Sequence, residues 1–198
     1  MSAIVRYSSS IAIVAGLCAV TGCAPGIDQL VDESLADDVE GAQDALWEYR
    51  GALLADPEQT IAGIDFLADA RPIYEDPAYV LGAGQYTLLA ASGSAQGTTL
   101  TLVAVGGAQT GGGWWYQQQS AVVCFDLRFP ADEDAIHTEA SDCSGGGGHG
   151  LGDIADFDQY GQPISLDELD VRRTVTEADH PPPVCQCHSG GDCDCPGG

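Results

Sequence analysis

The stretch "SAVVCFDLRF", Ser120–Phe129, decides how this chain folds. Ala121, Val123, Phe125, Leu127 and Phe129 occupy every second position. Side chains on a strand alternate between its faces, so these five share one apolar face, and Val122, Cys124, Asp126 and Arg128 share the other. The run ends at Pro130, and an acidic turn, "PADEDA", leads into "AIHTEASDC". There Ile136, Thr138 and Ala140 point one way, and His137, Glu139, Ser141 and Cys143 the other. If the two strands pair, Cys124 and Cys143 meet on the more polar face. A disulfide closing a loop of this size contributes roughly 3 kcal/mol in the chain-entropy model.

Upstream, "QYTLLAA" (85–91) and "TTLTLVAV" (98–105) flank the glycine-serine turn "SGSAQG", which signals a hairpin. "TIAGIDFLA" (60–68) reads as a further short strand. Before it, Ile27, Leu30, Val31, Leu35, Val39, Ala42, Leu46, Tyr49 and Leu53 recur at helical spacing. This stripe predicts an amphipathic helix from Asp28, a plausible N-cap, to about Ala55, with Asp56-Pro57 as the stop. Asp32, Glu33, Asp37, Asp38 and Glu40 crowd its other face. The expected domain, residues 28–143, is therefore α+β: one long N-terminal helix packed on an antiparallel meander sheet of four or five strands. Beyond it lie a glycine-rich linker (144–152), a weakly structured acidic and proline-rich tail (153–183) and a Cys-x-Cys tail (184–198), read together as a disordered, cysteine-containing C-terminal tail.

The whole chain carries a formal charge of −24 and contains no lysine. Such a surface repels nucleic acid, so that class of partner is excluded on electrostatic grounds. A hydrophobic content of 44% is too high for a wholly disordered chain.

Residues 1–22 have the charge order of a signal peptide: Arg6 near the start, then an apolar run, Ile11–Val20, too short to cross a bilayer. "VTGC", Val20–Cys23, follows, and it resembles the lipobox of bacterial lipoproteins. That resemblance covers only the first 23 residues. It implies cleavage before Cys23, attachment of acyl chains such as palmitate to that cysteine, and a tether, residues 23–27, at the outer face of a membrane. Cys18 would be discarded with the leader. The cleaved chain would hold 30 acids against five arginines, a formal charge of −25, so a negatively charged membrane would push the domain away while the lipid holds it. The layout, a lipobox, a helix, a meander and a late cysteine pair, is similar to the small lipoproteins of high-GC Gram-positive bacteria, a group with no assigned activity.

Six cysteines then remain: Cys124, Cys143, Cys185, Cys187, Cys193 and Cys195. An even number in an exported chain favours disulfides. A bond within Cys-x-Cys is strained, so Cys187–Cys193 inside Cys185–Cys195, or the other crossed pairing, is expected. The alternative is a metal-handling tail in which Cys185, Cys187, His188, Asp192, Cys193 and Cys195 bind zinc or copper.

Other chemical signals are weaker than their structural explanations. "DFDQYGQPISLD", Asp156–Asp167, has the first two acids and the glycine of an EF-hand loop, but Tyr160, Pro163 and Asp167 break the pattern, so it reads as an acidic loop. In "GGGWWYQQQ", Trp114, Trp115 and Tyr116 suit a sugar-binding platform, yet alternation favours one tryptophan in the core and the other over a sheet edge. His137 and Glu139, with Asp126 nearby, suggest an acid/base pair, but no nucleophile elbow, phosphate loop or H-E-x-x-H accompanies them. His149 and His180 fall in linkers and carry no signal. The expected molecule is a non-catalytic envelope lipoprotein without a cofactor, its membrane contact made through a lipid and its ligand unidentified.

Overall fold

The computed structural model describes residues 26–71, 86–112, 114–143 and 160–181, together with the backbone of 186–187 and 193–194. Helix α1, Ile27–Trp47, buries Val31, Leu35, Val39, Ala42, Gln43, Leu46 and Trp47, steps of three and four that put one stripe against the sheet. Gly26 takes the N-cap position, and Asp28 lies in the first turn, where the helix dipole favours a negative charge. The expected single helix to Ala55 is interrupted. The chain turns at Glu48 and Tyr49 and resumes as α2, Arg50–Ala55. Asp56-Pro57 then starts as well as stops: the Asp56 carboxylate accepts from Gln59 N at 3.1 Å and Pro57 opens α3, Pro57–Ile61. So most of "TIAGIDFLA" is helix end and turn, and only β1, Leu67–Asp69, is strand.

The sheet is larger than the four or five strands expected, and mixed where a purely antiparallel meander was expected. Seven strands pair in the order β1-β2-β3-β4-β5-β7, with β6 also against β4. The strands are β2 (Tyr86–Ser94), β3 (Gly97–Gly112), β4 (Trp115–Pro130), β5 (Ala135–Ala140), β6 (Gln162–Ile164) and β7 (Thr174–Thr176). β1 runs parallel to β2 and β6 parallel to β4; the other pairs are antiparallel. β5 and β6 share one edge of β4, β5 at Phe125–Arg128 and β6 at Ala121–Val123.

The additional strands β6 and β7 come from the acidic stretch 153–183. Its described part, 160–181, is not a weakly structured tail: Tyr160, Leu166, Leu169 and Val175 are buried in the domain. Strands of three residues are too short to show a two-residue periodicity, which hid them.

Both faces of β4 are used. Ala121, Val123, Phe125, Leu127 and Phe129 join α1 in the main core, as their alternation demands. Gly106 of β3 lets the helix approach closely, since an added Cβ would stand 2.5 Å from Leu35 Cγ. On the far face, Ala70, Leu89, Val103, Val122, Cys124 and Tyr160 form a second, smaller core.

One buried polar residue joins three parts of the chain. Gln43, fully buried on α1, donates from Nε2 to Thr138 Oγ1 of β5 at 2.7 Å and to the Arg172 carbonyl at 2.8 Å. Arg172 returns to the helix, its backbone N–H donating to Glu40 at 3.0 Å and its guanidinium to Asp44 at 3.0 Å. No described helix is long and apolar enough to cross a membrane.

Candidate functional site

The expected cysteine pair is present. Cys124 lies within β4, and the chain passes Ala140, the last residue of β5, to reach Cys143 three positions later. The register sets Phe125 opposite Ala140, and Ser141 N donates back to the Cys124 carbonyl at 3.3 Å. This folds Cys143 over Cys124 and forms the disulfide, with a Cα separation of 5.2 Å. The surrounding face is less polar than its sequence suggested, because Val103, Val122 and Tyr160 pack about the bridge. Beside it an open groove of about 490 Å³ runs between Ala140–Cys143 and Pro163–Ser165.

His137 and Glu139 share a strand face, but each is engaged elsewhere. His137 Nδ1 lies 3.1 Å from Thr174 Oγ1 and Nε2 lies 2.9 Å from Glu133. Glu139 accepts from Arg128 at 2.7 Å, and Asp126 accepts from Thr101 Oγ1 at 2.7 Å. The structure therefore does not assemble them into an acid/base pair.

The EF-hand resemblance also dissolves in its described half. Tyr160 is buried, Gln162–Ile164 is a strand, and Asp167 pairs with Arg173 at 3.1 Å. His180, read as linker, stacks on Trp47 with ring centroids 4.9 Å apart, and the Arg50 guanidinium lies 3.9 Å from the Trp47 ring centroid. Among the described residues no group of three or more His, Cys, Asp or Glu side chains is arranged to hold a metal ion.

The arginines explain why the surface stays acidic. All five after residue 22 pair with carboxylates: Arg50 with Asp134, Arg71 with Glu58 and Asp69, Arg128 with Glu139, Arg172 with Glu40 and Asp44, and Arg173 with Asp167. Burial alone would raise the Asp69 carboxyl, but hydrogen bonds from Arg71 outweigh it and hold Asp69 below the usual carboxylate range. With these five cations paired, the 30 acids of the whole chain still leave a large excess of negative charge.

The clearest departure from the sequence reading is at the far end of β3 and β4. These strands pair without interruption from Gly97 opposite Pro130 to Gly112 opposite Trp115, and the described part of β2 accompanies β3 as far as Val103. Among the described residues the last stretch is thus a two-stranded arm. At its tip Trp114 is 100% exposed, Trp115 85% and Tyr116 59%. Neither tryptophan enters the core or covers an edge, contrary to expectation, because the arm projects past the described elements that could bury them.

Cys23, Cys185, His188, Asp192 and Cys195 lie outside the described residues. Of Cys187 and Cys193 only the backbone is described: β8 (Gln186–Cys187) pairs antiparallel with β9 (Cys193–Asp194), with Cys187 opposite Cys193. The chain matches no protein-family model, no curated protein and no solved structure.

Proposed function

We propose that this chain is a cell-envelope lipoprotein, exported and held by acylated Cys23 on the outer face of a membrane, whose domain binds a partner and performs no catalysis. The observation that supports this best is the Cys124–Cys143 bridge built into the small core of the sheet. Disulfides persist where thiols are oxidised, outside the cytosol, and this agrees with the address that the leader and "VTGC" spell independently. The dispersal of His137, Glu139 and Asp126 into separate structural contacts favours binding over chemistry.

For the tail, the antiparallel register that sets Cys187 opposite Cys193 suits a bridge closing a short hairpin. The same thiols would serve the metal-handling alternative if they remained reduced.

Intact mass spectrometry of membrane-extracted protein tests the proposal. The expected product starts at Cys23, carries acyl groups and takes up no alkylating reagent until reduced. A product that still starts at Met1 and partitions into water overturns the anchoring. Alkylation of four tail thiols, with a metal adduct under native conditions, selects the metal-handling reading.

A further inference from the structure

We propose that the tip of the β3–β4 arm is a second membrane contact, in which Trp114, Trp115 and Tyr116 seat in the headgroup layer of the bilayer that holds Cys23. This rests on the reading that Cys23 is acylated, and three observations carry it.

The first is position. Gln119 Nε2 donates to Asp28 Oδ1 at 2.6 Å, and Gly107 N donates to Ser34 Oγ at 3.4 Å, so the root of the arm lies beside the start of α1. The far end of the helical region meets the opposite end of β3, where Thr98 Oγ1 donates to the Leu53 carbonyl at 2.9 Å. The tip and the tethered end of the chain therefore leave the domain on the same side. Four ladder pairs separate Gln119 from Trp115, a projection of about 13 Å at about 3.3 Å per residue. From Asp28 the chain returns two helical residues to Gly26, and three more residues reach Cys23, together at most about 14 Å. The two reaches match.

The second observation is charge. Residues 77–125 contain no charged side chain, in a protein whose formal charge is −24. The arm, rich in glycine and glutamine, is the neutral projection of an acidic body. It also holds Asp28, Asp32 and Glu33 about one arm length from the lipid surface, beyond the ~8 Å over which charges are felt in physiological salt.

The third is chemistry. Trp and Tyr prefer the membrane–water interface, where the ring is shielded and the polar edge stays hydrated. Acyl chains alone hold the protein but let the domain swivel. An aromatic foot beside the tether fixes which face looks outward.

The test uses the full-length acylated protein in phosphatidylcholine vesicles whose lipids carry bromine atoms near the headgroup. Two of the three tryptophans are at the tip and the third, Trp47, is 5% exposed in the domain, so tryptophan emission should fall about twofold on reconstitution. The Trp114→Ala/Trp115→Ala variant, checked for an unchanged circular dichroism spectrum, should remain vesicle-bound and lose the quenching. Vesicle-bound wild type without quenching, or a variant quenched as strongly as wild type, overturns the proposal and leaves the lipid anchor intact. If mass spectrometry finds no acyl group on Cys23, the anchoring fails separately, and quenching of the same chain at millimolar lipid then decides the tip alone. An emission change with soluble cell-wall oligosaccharides but none with vesicles overturns the proposal in favour of a sugar platform.

Discussion

Replacing Gln43 by leucine tests whether the buried amide holds the C-terminal segment to the helix. The substitution conserves size and removes both donations, to Thr138 Oγ1 and to the Arg172 carbonyl. An unsatisfied buried partner costs about 1–3 kcal/mol, and two are left behind. Against this, Gln43 Oε1 is itself buried without a partner among the described residues, so its desolvation cost, about 1 kcal/mol, disappears with it. The balance is a loss of about 2 kcal/mol, or about 4–8 °C in melting temperature for a domain of this size. Thermal unfolding followed by circular dichroism on wild type, Gln43→Leu, Thr138→Val and the double variant measures it, with a coupling of about 1 kcal/mol expected between the two sites. Limited proteolysis should also cut within 160–181 faster in Gln43→Leu. A variant that melts at or above wild type, with additive single effects, would refute the reasoning and show the amide to be a tolerated cost.

The remaining predictions concern packing, the bridge and one carboxylate. Gly106→Ala should destabilise by about 1–3 kcal/mol, because the new Cβ meets Leu35 Cγ at 2.5 Å and Leu35 N at 3.1 Å, and the backbone atom cannot swing aside. A melt matching wild type would show that α1 can shift. Cys143→Ala should lower stability by about 3 kcal/mol under oxidising conditions, the loop-closure value for residues 19 apart, and much less with dithiothreitol present. Equal losses in both conditions would mean that packing, and not the cross-link, is at stake.

Burial, and then the neighbouring Asp37, raises the Asp38 carboxyl above its ordinary value. A raised value stabilises below pH 3.8 and loses that contribution as pH rises through the folded value, so Asp38→Asn should be more stable than wild type at pH 7 and equal to it in acid. Tyr86 is held high by burial, then by Asp38 and Asp44, so its phenol should titrate lower in the same variant, as read by ultraviolet absorbance.

The parts of this fold legible in the sequence are those whose signal is long and local. β4 shows five alternating apolar positions, and α1 shows a stripe from Val31 to Leu46. The cysteine pair is legible from the adjacency of the two strands, although Cys143 sits in the turn after β5 and not on its face. What escaped depends on distant partners. β6 and β7 are three residues each and owe their existence to the edges of β4 and β5. Gln43, a polar residue on an apolar stripe, has partners 95 and 129 positions away. The exposure of Trp114 and Trp115 escaped because alternation tells which face a side chain occupies but not whether anything covers it.

Because Gln43 of α1 pairs with Arg172 and β5 pairs with β7, the domain closes fully only once the chain up to about Thr176 is available. Pairings this distant in sequence close slowly and leave apolar surface open meanwhile. A premature stop near residue 159 would therefore produce an unlatched body exposed to proteases, and a shortened but working protein would not be its outcome.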